Sequence, residues 1–262
     1  MEKNIFSLRI ADLTIEVHSL YEKCRLMCGE YVLDPAASAA EKPDIIVDIV
    51  PRNIKRVNDL FQKQEVREGN GTYLYYDPGY MEYYAVQRKI SEAMPMHGGM
   101  LMHGAVVADS GYAYMFTAPS GVGKSTRASL WLKTYPDAYI INGDKPFIRL
   151  KGDSVIAYGS PWCGKERWNT NVGVPLRAIF LLERSSGLEM GSQIQKITIA
   201  EAYVALLNQI YQPEHPQAMA NSLKLLKEIG EKVDLYRFRS TPTEEAVRLA
   251  YETARPGAEH DL

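Results

Sequence analysis

The stretch FTAPSGVGKSTRASLWL, residues 116–132, decides how the rest of the chain is read. It follows the pattern G-x-x-x-x-G-K-[ST], except that Ala118 stands in the first glycine position. In that pattern the glycines let backbone N–H groups turn inward around phosphates. The lysine reaches the β and γ phosphates, and the hydroxyl takes a Mg²⁺ position. The pattern carries this meaning only between a strand and a helix. YAYMFTA (112–118) supplies the strand, with Tyr112, Tyr114 and Phe116 on one face, and KSTRASLWL (124–132) supplies a helix opening at the lysine. The segment therefore predicts a phosphate cradle built from Ser120, Gly121, Val122, Gly123, Lys124, Ser125 and Thr126. The positive end of the following helix helps it. The plain alternative is a glycine-rich turn that starts an ordinary helix.

Working outward, AYIIN (138–142) reads as the next strand, with the single carboxylate Asp144 at its exit. Strand, cradle, helix and strand then form one compact unit, which puts Asp144 beside the cradle as a metal ligand. On the other side, MLMHGAVVADSGYAYMFTA (100–118) gives two strands around the turn ADSGY. FIRLKGDSVIAYGS (147–160) reads as a hairpin through a Lys-Gly-Asp turn, and PLRAIFLLER (175–184) as a buried strand. Helices are predicted over 199–211 and 218–233, then the strand DLYRFR (234–239). A final helix starts at TPTEEAVRLAYE, with Thr241 as cap, Pro242 at the first helical position and Glu244 as the capping-box acid. Hairpins and crossovers together predict a mixed sheet flanked by helices.

The first 95 residues read as a separate, small α/β unit, followed by a cradle-bearing domain over 96–262. IFSLRI (5–10) and LTIEV (13–17) alternate as half-buried strands do. DIIVDIV (44–50) and TYLYY (72–76) are further strand candidates, separated by a long polar stretch, and YMEYYAVQRKISEAM (80–94) has helical spacing. The tail RPGAEHDL (255–262) is expected to fray.

At 262 residues the chain can bury a sizeable core. Its net charge of -2 gives no reason to expect nucleic acid or an anionic membrane as partner. No apolar run reaches the roughly 18 residues of a membrane span, and the first residues do not form a signal peptide. Three cysteines, an odd and sparse set, suit a reducing cytoplasm better than a disulfide framework. Cys24 and Cys28 share a helical spacing, but two thiols alone read as buried structural groups, not a metal site.

MHGAVVADSGYAYMFTAPSGVGKST, followed by INGDKPFI, resembles the catalytic core of HPr kinase/phosphorylase. The resemblance rests on a His-Gly that opens a strand, the PSGVGKS loop and an acid at the next strand end. That core is itself similar to ATP-dependent phosphoenolpyruvate carboxykinase. The resemblance covers roughly residues 99–185 and does not extend to the first 95. It implies a mixed-sheet P-loop fold, ATP and Mg²⁺ as cofactors, and transfer of the γ phosphate to a hydroxyl on a protein, peptide or small molecule. It further implies that Lys124 and Ser125 serve phosphate and Mg²⁺, that Asp144 serves the metal or the nucleophile, and that His103 lies near the transferring phosphate. The family has two adjacent acids at this strand end, and here the first is Gly143.

A second loop, GSPWCGKERWNTN (159–171), is rich in groups that build sites. Lys165 or Arg167 would stabilise charge on the γ phosphate, and Glu166 would act as base or metal acid; a surface loop with an aromatic anchor is the alternative. Two functions follow. One is an ATP-dependent kinase whose N-terminal unit selects the acceptor or builds a homo-oligomer. The other, favoured by Gly143, is a nucleotide-binding regulatory protein with little or no transferase activity. A carboxykinase would need a carboxylate site that the residues do not offer.

Overall fold

A computed structural model of the chain describes residues 3–39, 41–67, 75–183 and 191–257. It forms two compact units, Met1–Ala93 and Met94–Leu262. The first has a three-stranded sheet in the order β1 (Asn4–Ile10), β2 (Leu13–Ser19), β3 (Ile45–Asp48), with β1 antiparallel and β3 parallel to β2. Its helices are α1 (Glu22–Cys28), α2 (Pro35–Ala39), α3 (Pro51–Arg67) and α4 (Pro78–Ala93). The polar stretch after Val50 is thus a 17-residue helix. Ile54, Val57 and Phe61 recur at helical spacing on its inner side, a stripe outweighed in composition by the charged and polar residues around it. Phe61 docks α3 on α4, with ring centroids 5.0 Å from Tyr84 and 6.5 Å from Tyr80.

Glu82 of α4 is fully buried and accepts hydrogen bonds from the Leu20 and Tyr21 amides at 2.5 and 2.9 Å. It thereby ties α4 to the end of β2. Cys24 and Cys28 are buried on one face of α1. Their mutual hydrogen bond, with burial adding to it, pushes the Cys24 thiol far above its usual range, so it packs as a neutral thiol. The expected strand over 72–76 lies mostly outside the described residues, and Tyr75 and Tyr76 have no regular structure.

The second unit contains β4 (Gly99–Leu101), β5 (Ala105–Asp109), β6 (Tyr112–Thr117), α5 (Lys124–Thr134), β7 (Tyr139–Asn142), β8 (Phe147–Lys151) and β9 (Ser154–Tyr158). After these come β10 (Gly173–Glu183), β11 (Gln193–Ile197), α6 (Ile199–Leu207), α7 (Pro216–Lys232), β12 (Asp234–Arg239) and α8 (Glu244–Ala254). All nine strands join one mixed sheet, in which β4-β8-β9-β10-β6-β5-β7 run in order. Strand β12 pairs with the second half of β10 and carries β11 on its other side. Strands β6, β10 and β12 are parallel; β5 is antiparallel to both β6 and β7.

Alternation along the strands fills both faces of this sheet. Tyr114 and Phe116 of β6 point to the layer that holds Ala128 and Trp131 of α5 with Val247 and Ala250 of α8. Ala113 and Met115 point to the opposite layer, with Leu206 of α6 and Leu226 and Ile229 of α7. Phe116, Phe180 and Tyr236 stack across three neighbouring strands at 5.2 and 5.4 Å. Trp131 lies flat on Tyr114 at 4.9 Å and donates its indole N–H to Asp109. Burying aromatics on this scale stabilises the layer by about 1.5–3 kcal/mol for each side chain.

One helix start differs from expectation. The cap of α8 is Thr243, whose hydroxyl accepts from the Ala246 amide at 3.2 Å, and not Thr241. Pro242 bars the preceding Thr241 from helical backbone, so the helix begins after a second threonine. Glu244 is then a first-turn acid near the helix dipole, not the far member of a capping box. A complete box does occur at α6, where Thr198 and Glu201 exchange hydrogen bonds. Expected fraying of 255–262 concerns residues that lie mostly outside those described.

Candidate functional site

The carboxyl ends of β6, β7, β10 and β12 and the amino end of β5 meet at one edge of the sheet. In sheets with parallel strands, this is the edge where loops are free to form ligand sites. The loop 118–123 leaves β6 here and turns into α5 through Gly121 (φ 77) and Gly123 (φ 95), both left-handed. A side chain at either position would be strained, so the local sequence, not packing alone, sets the turn. Ser120 and Thr126 are exposed, and Val122 and Ser125 are half-buried.

Lys124 is buried and folds back over the loop, with Nζ 2.9 Å from Ala118 O and 3.3 Å from Pro119 O. Burial pushes its ammonium below the ordinary lysine value; the charge of Asp144 opposes that shift and Lys145 adds to it. Lys124 thus shares its electrostatic environment with Asp144. Burial alone would raise the Asp144 carboxyl. The hydrogen bond from His103, with the charges of Lys145, His103 and Lys124, instead holds it below the usual carboxylate range. Among these groups one carboxylate faces several cations, which favours an anionic ligand.

His103 Nε2 lies 3.3 Å from Asp144 Oδ1, and His103 Nδ1 lies 3.1 Å from Gln209 Oε1. In its doubly protonated form the ring donates to both. Its backbone is fixed as well: the His103 amide donates to Gln209 O at 2.7 Å, and the His103 carbonyl accepts from the Thr117 hydroxyl at 2.8 Å. The next amide, Gly104 N, donates to Asp144 O at 3.0 Å. Nothing local in the sequence pointed to Gln209, which lies just beyond α6 and its C-cap Asn208.

The turn that presents Asp144 is held by a buried asparagine. Asn142 Oδ1 accepts from the amides of Asp144 (2.9 Å) and Lys145 (2.7 Å). Its Nδ2 donates to Ser160 O at 2.9 Å, and the Ser160 hydroxyl donates to Lys145 O at 2.6 Å. An Asn-Gly dipeptide favours such an Asx turn, and 142–143 carries one. Asn169 Nδ2 also donates to Ser160 O, at 3.1 Å, so the same serine binds the second loop to the Asp144 turn.

That second loop is anchored by Trp162, which is 2% exposed and meets Phe147 edge-on at 6.5 Å. It lies along β7, with Gly143 N donating to Trp168 O at 2.8 Å and Thr170 N to Ile141 O at 3.0 Å. Gly143 explains how closely it can approach. A Cβ there would sit 3.0 Å from Cys163 O and 3.4 Å from Trp168 Cβ. The loop backbone occupies the space that a side chain at position 143 would need. On the far side, a Cβ placed on Gly164 would lie 3.2 Å from Asp144 Cβ and 3.5 Å from Glu166 Oε2, so both carboxyl groups flank one spot. Lys165 and Arg167 are exposed, and Arg167 has left-handed backbone (φ 54). The structure therefore groups His103, Lys124 and Asp144, with Glu166 alongside, while Lys165 is exposed on the same loop.

A cavity of about 310 Å³ opens next to the start of the loop, bounded by Ala118, Pro119, Leu181, Ile197, Glu201 and Gln209. Gln209 belongs both to this wall and to the His103 contact.

No family model and no curated protein matches this chain. Among solved structures it is similar to the HPr(Ser) kinase/phosphatase from Coxiella burnetii, with a TM-score of 0.33 and 8% identity over 57% of this chain and 90% of that one. Likeness of that size leaves the functional argument to the residues themselves. No helix among the described residues is long and apolar enough to cross a membrane.

Proposed function

We propose that this chain is an ATP-dependent phosphotransferase acting on a hydroxyl, on a serine of a protein or peptide or on a small alcohol. The observation that carries the reading is the glycine loop with its buried Lys124, set at the same sheet edge as the His103–Asp144 pair. The loop amides and Lys124 bind the phosphates of the nucleotide. The acceptor enters from the cavity beside Ala118 and Gln209. Its hydroxyl oxygen attacks the γ phosphorus, forming the new P–O bond, while the bond to the bridging oxygen breaks and ADP leaves. The hydroxyl proton passes to Glu166, because Asp144 is held ionised and is a weak base.

Ser125 and Asp144 are hard oxygen donors of the kind Mg²⁺ takes, and that ion needs only one or two protein ligands beside the phosphates. When bound there, it supplies neutralisation of phosphate charge. His103, held by Gln209, orients the Asp144 carboxylate. In this reading the protein works in the cytoplasm, the setting that its sparse, odd set of cysteines suits. A regulatory protein that binds nucleotide without transfer is the second reading, favoured by Gly143 and the weak basicity of Asp144.

The test is calorimetric titration with Mg-ATP, followed by labelled-phosphate transfer to a panel of serine peptides and small alcohols. Lys124→Ala should lower ATP affinity about 100-fold while the protein stays folded, since the ammonium hydrogen-bonds only the Ala118 and Pro119 carbonyls and acts on Asp144 through its charge alone. Unchanged ATP affinity in that variant sinks the cradle; ATP binding with neither transfer nor ADP formation selects the regulatory reading.

A further inference from the structure

Arg127 is 2% exposed, yet no carboxylate pairs with it among the described residues. Its Nη1 donates to Val122 O (3.1 Å) and Gly123 O (3.3 Å), and its Nη2 donates to Ser240 O (2.6 Å) and Ser240 Oγ (3.0 Å). The guanidinium carbon lies 5.7 Å from the Phe238 ring centroid, and Nε has no partner. Every acceptor is neutral. A buried guanidinium compensated only by carbonyls, a hydroxyl and a ring is costly to keep, and proteins seldom keep one without an anion.

The two carbonyls it holds belong to the glycine loop. In a planar trans peptide the C=O and the following N–H point in opposite directions. Drawing the Val122 and Gly123 oxygens toward Arg127 therefore aims the Gly123 and Lys124 amides away from it, into the concave side of the loop. Ser240 and Phe238 anchor the guanidinium at the end of β12, so the loop is braced against the sheet and not only against its own helix.

We propose that Arg127 is a positioning residue for nucleotide phosphates: it sets the direction of the Gly123 and Lys124 amides, and its charge is balanced only when phosphate occupies the loop. This inference rests on the nucleotide reading above. A brace without electrostatic purpose would affect all nucleotides alike. A charge awaiting its counter-ion favours ligands in proportion to their own charge.

The experiment measures dissociation constants for ATP and ADP with the full-length chain and two variants. Arg127→Gln should weaken ATP by about tenfold and ADP by clearly less, because the missing term scales with phosphate charge. Arg127→Lys, which keeps the charge and loses the fork, should retain the wild-type ratio of ATP to ADP affinity. Equal weakening of both ligands by Arg127→Gln, or no weakening, overturns the proposal. If Arg127→Gln does not fold, Arg127→Lys decides alone: a retained ratio supports the inference and a lost ratio overturns it. Failure of the wild-type protein to bind ATP removes the nucleotide reading and this inference together, whereas wild-type binding without charge grading removes only the latter.

Discussion

His103 and Asp144 face each other across 3.3 Å from the start of β5 and the exit of β7, and the Gly104 amide joins the same two segments through Asp144 O. The pairing depends on β5 lying between β6 and β7, so that the amino end of one strand meets the carboxyl ends of its neighbours.

From that geometry, Asp144→Asn should lower phosphoryl transfer by about 100-fold or more, since it removes the one site charge held ionised against the cations. ATP affinity should change by less than about tenfold, because the loop and Lys124 provide most phosphate contact. Initial rates against calorimetric affinity separate the two. Equal losses in both would place Asp144 in binding and not in the chemistry.

Gly143→Asp would restore the acid pair that the kinase resemblance implies, yet it should not restore activity. The added Cβ meets the Cys163 carbonyl at 3.0 Å, and that contact is backbone, which cannot swing aside. Making room means shifting the 159–171 loop backbone by a few tenths of an ångström, which should cost about 1 kcal/mol. Urea midpoints and transfer rates report both effects. A variant as stable as wild type and faster in transfer would contradict the seat described for the loop.

Glu82 predicts a pH dependence in the first unit. Burial raises its carboxyl above the usual range, the Leu20 and Tyr21 amides opposing that shift. The folded state then binds the proton more tightly than the unfolded chain does. Stability from this group is therefore fully present below the unfolded value of about 4.3 and is lost as pH rises through the raised folded value. Glu82→Gln should flatten that part of a stability–pH curve measured by urea unfolding. A slope identical to wild type would show that Glu82 is not the titrating group. Asp144 carries the opposite sign: its lowered carboxyl contributes stability above about pH 4, lost as pH falls.

Much of the second unit was legible because its signals are local. Alternation in YAYMFTA placed Tyr114 and Phe116 on one buried face, the two left-handed glycines marked the loop, and the turns at Ser110–Gly111 and Gly152–Asp153 carry their own backbone preferences. The helix over Pro51–Arg67 reads as a polar stretch because charged and polar residues outnumber its apolar stripe, and the α8 cap falls on the second of two threonines flanking one proline.

Local spacing and turn chemistry were enough to place Lys124 at the head of a helix and Asp144 at the end of the next strand. They could not indicate that Gln209 would hold His103, that Asn142 and Ser160 would bind two loops together, or that Arg127 would reach Ser240. Nor could they say why position 143 carries no side chain. Those partners are distant in sequence, and hydrogen bonds between distant segments leave no period and no spacing to read. Only the order of strands in the sheet brings them within reach.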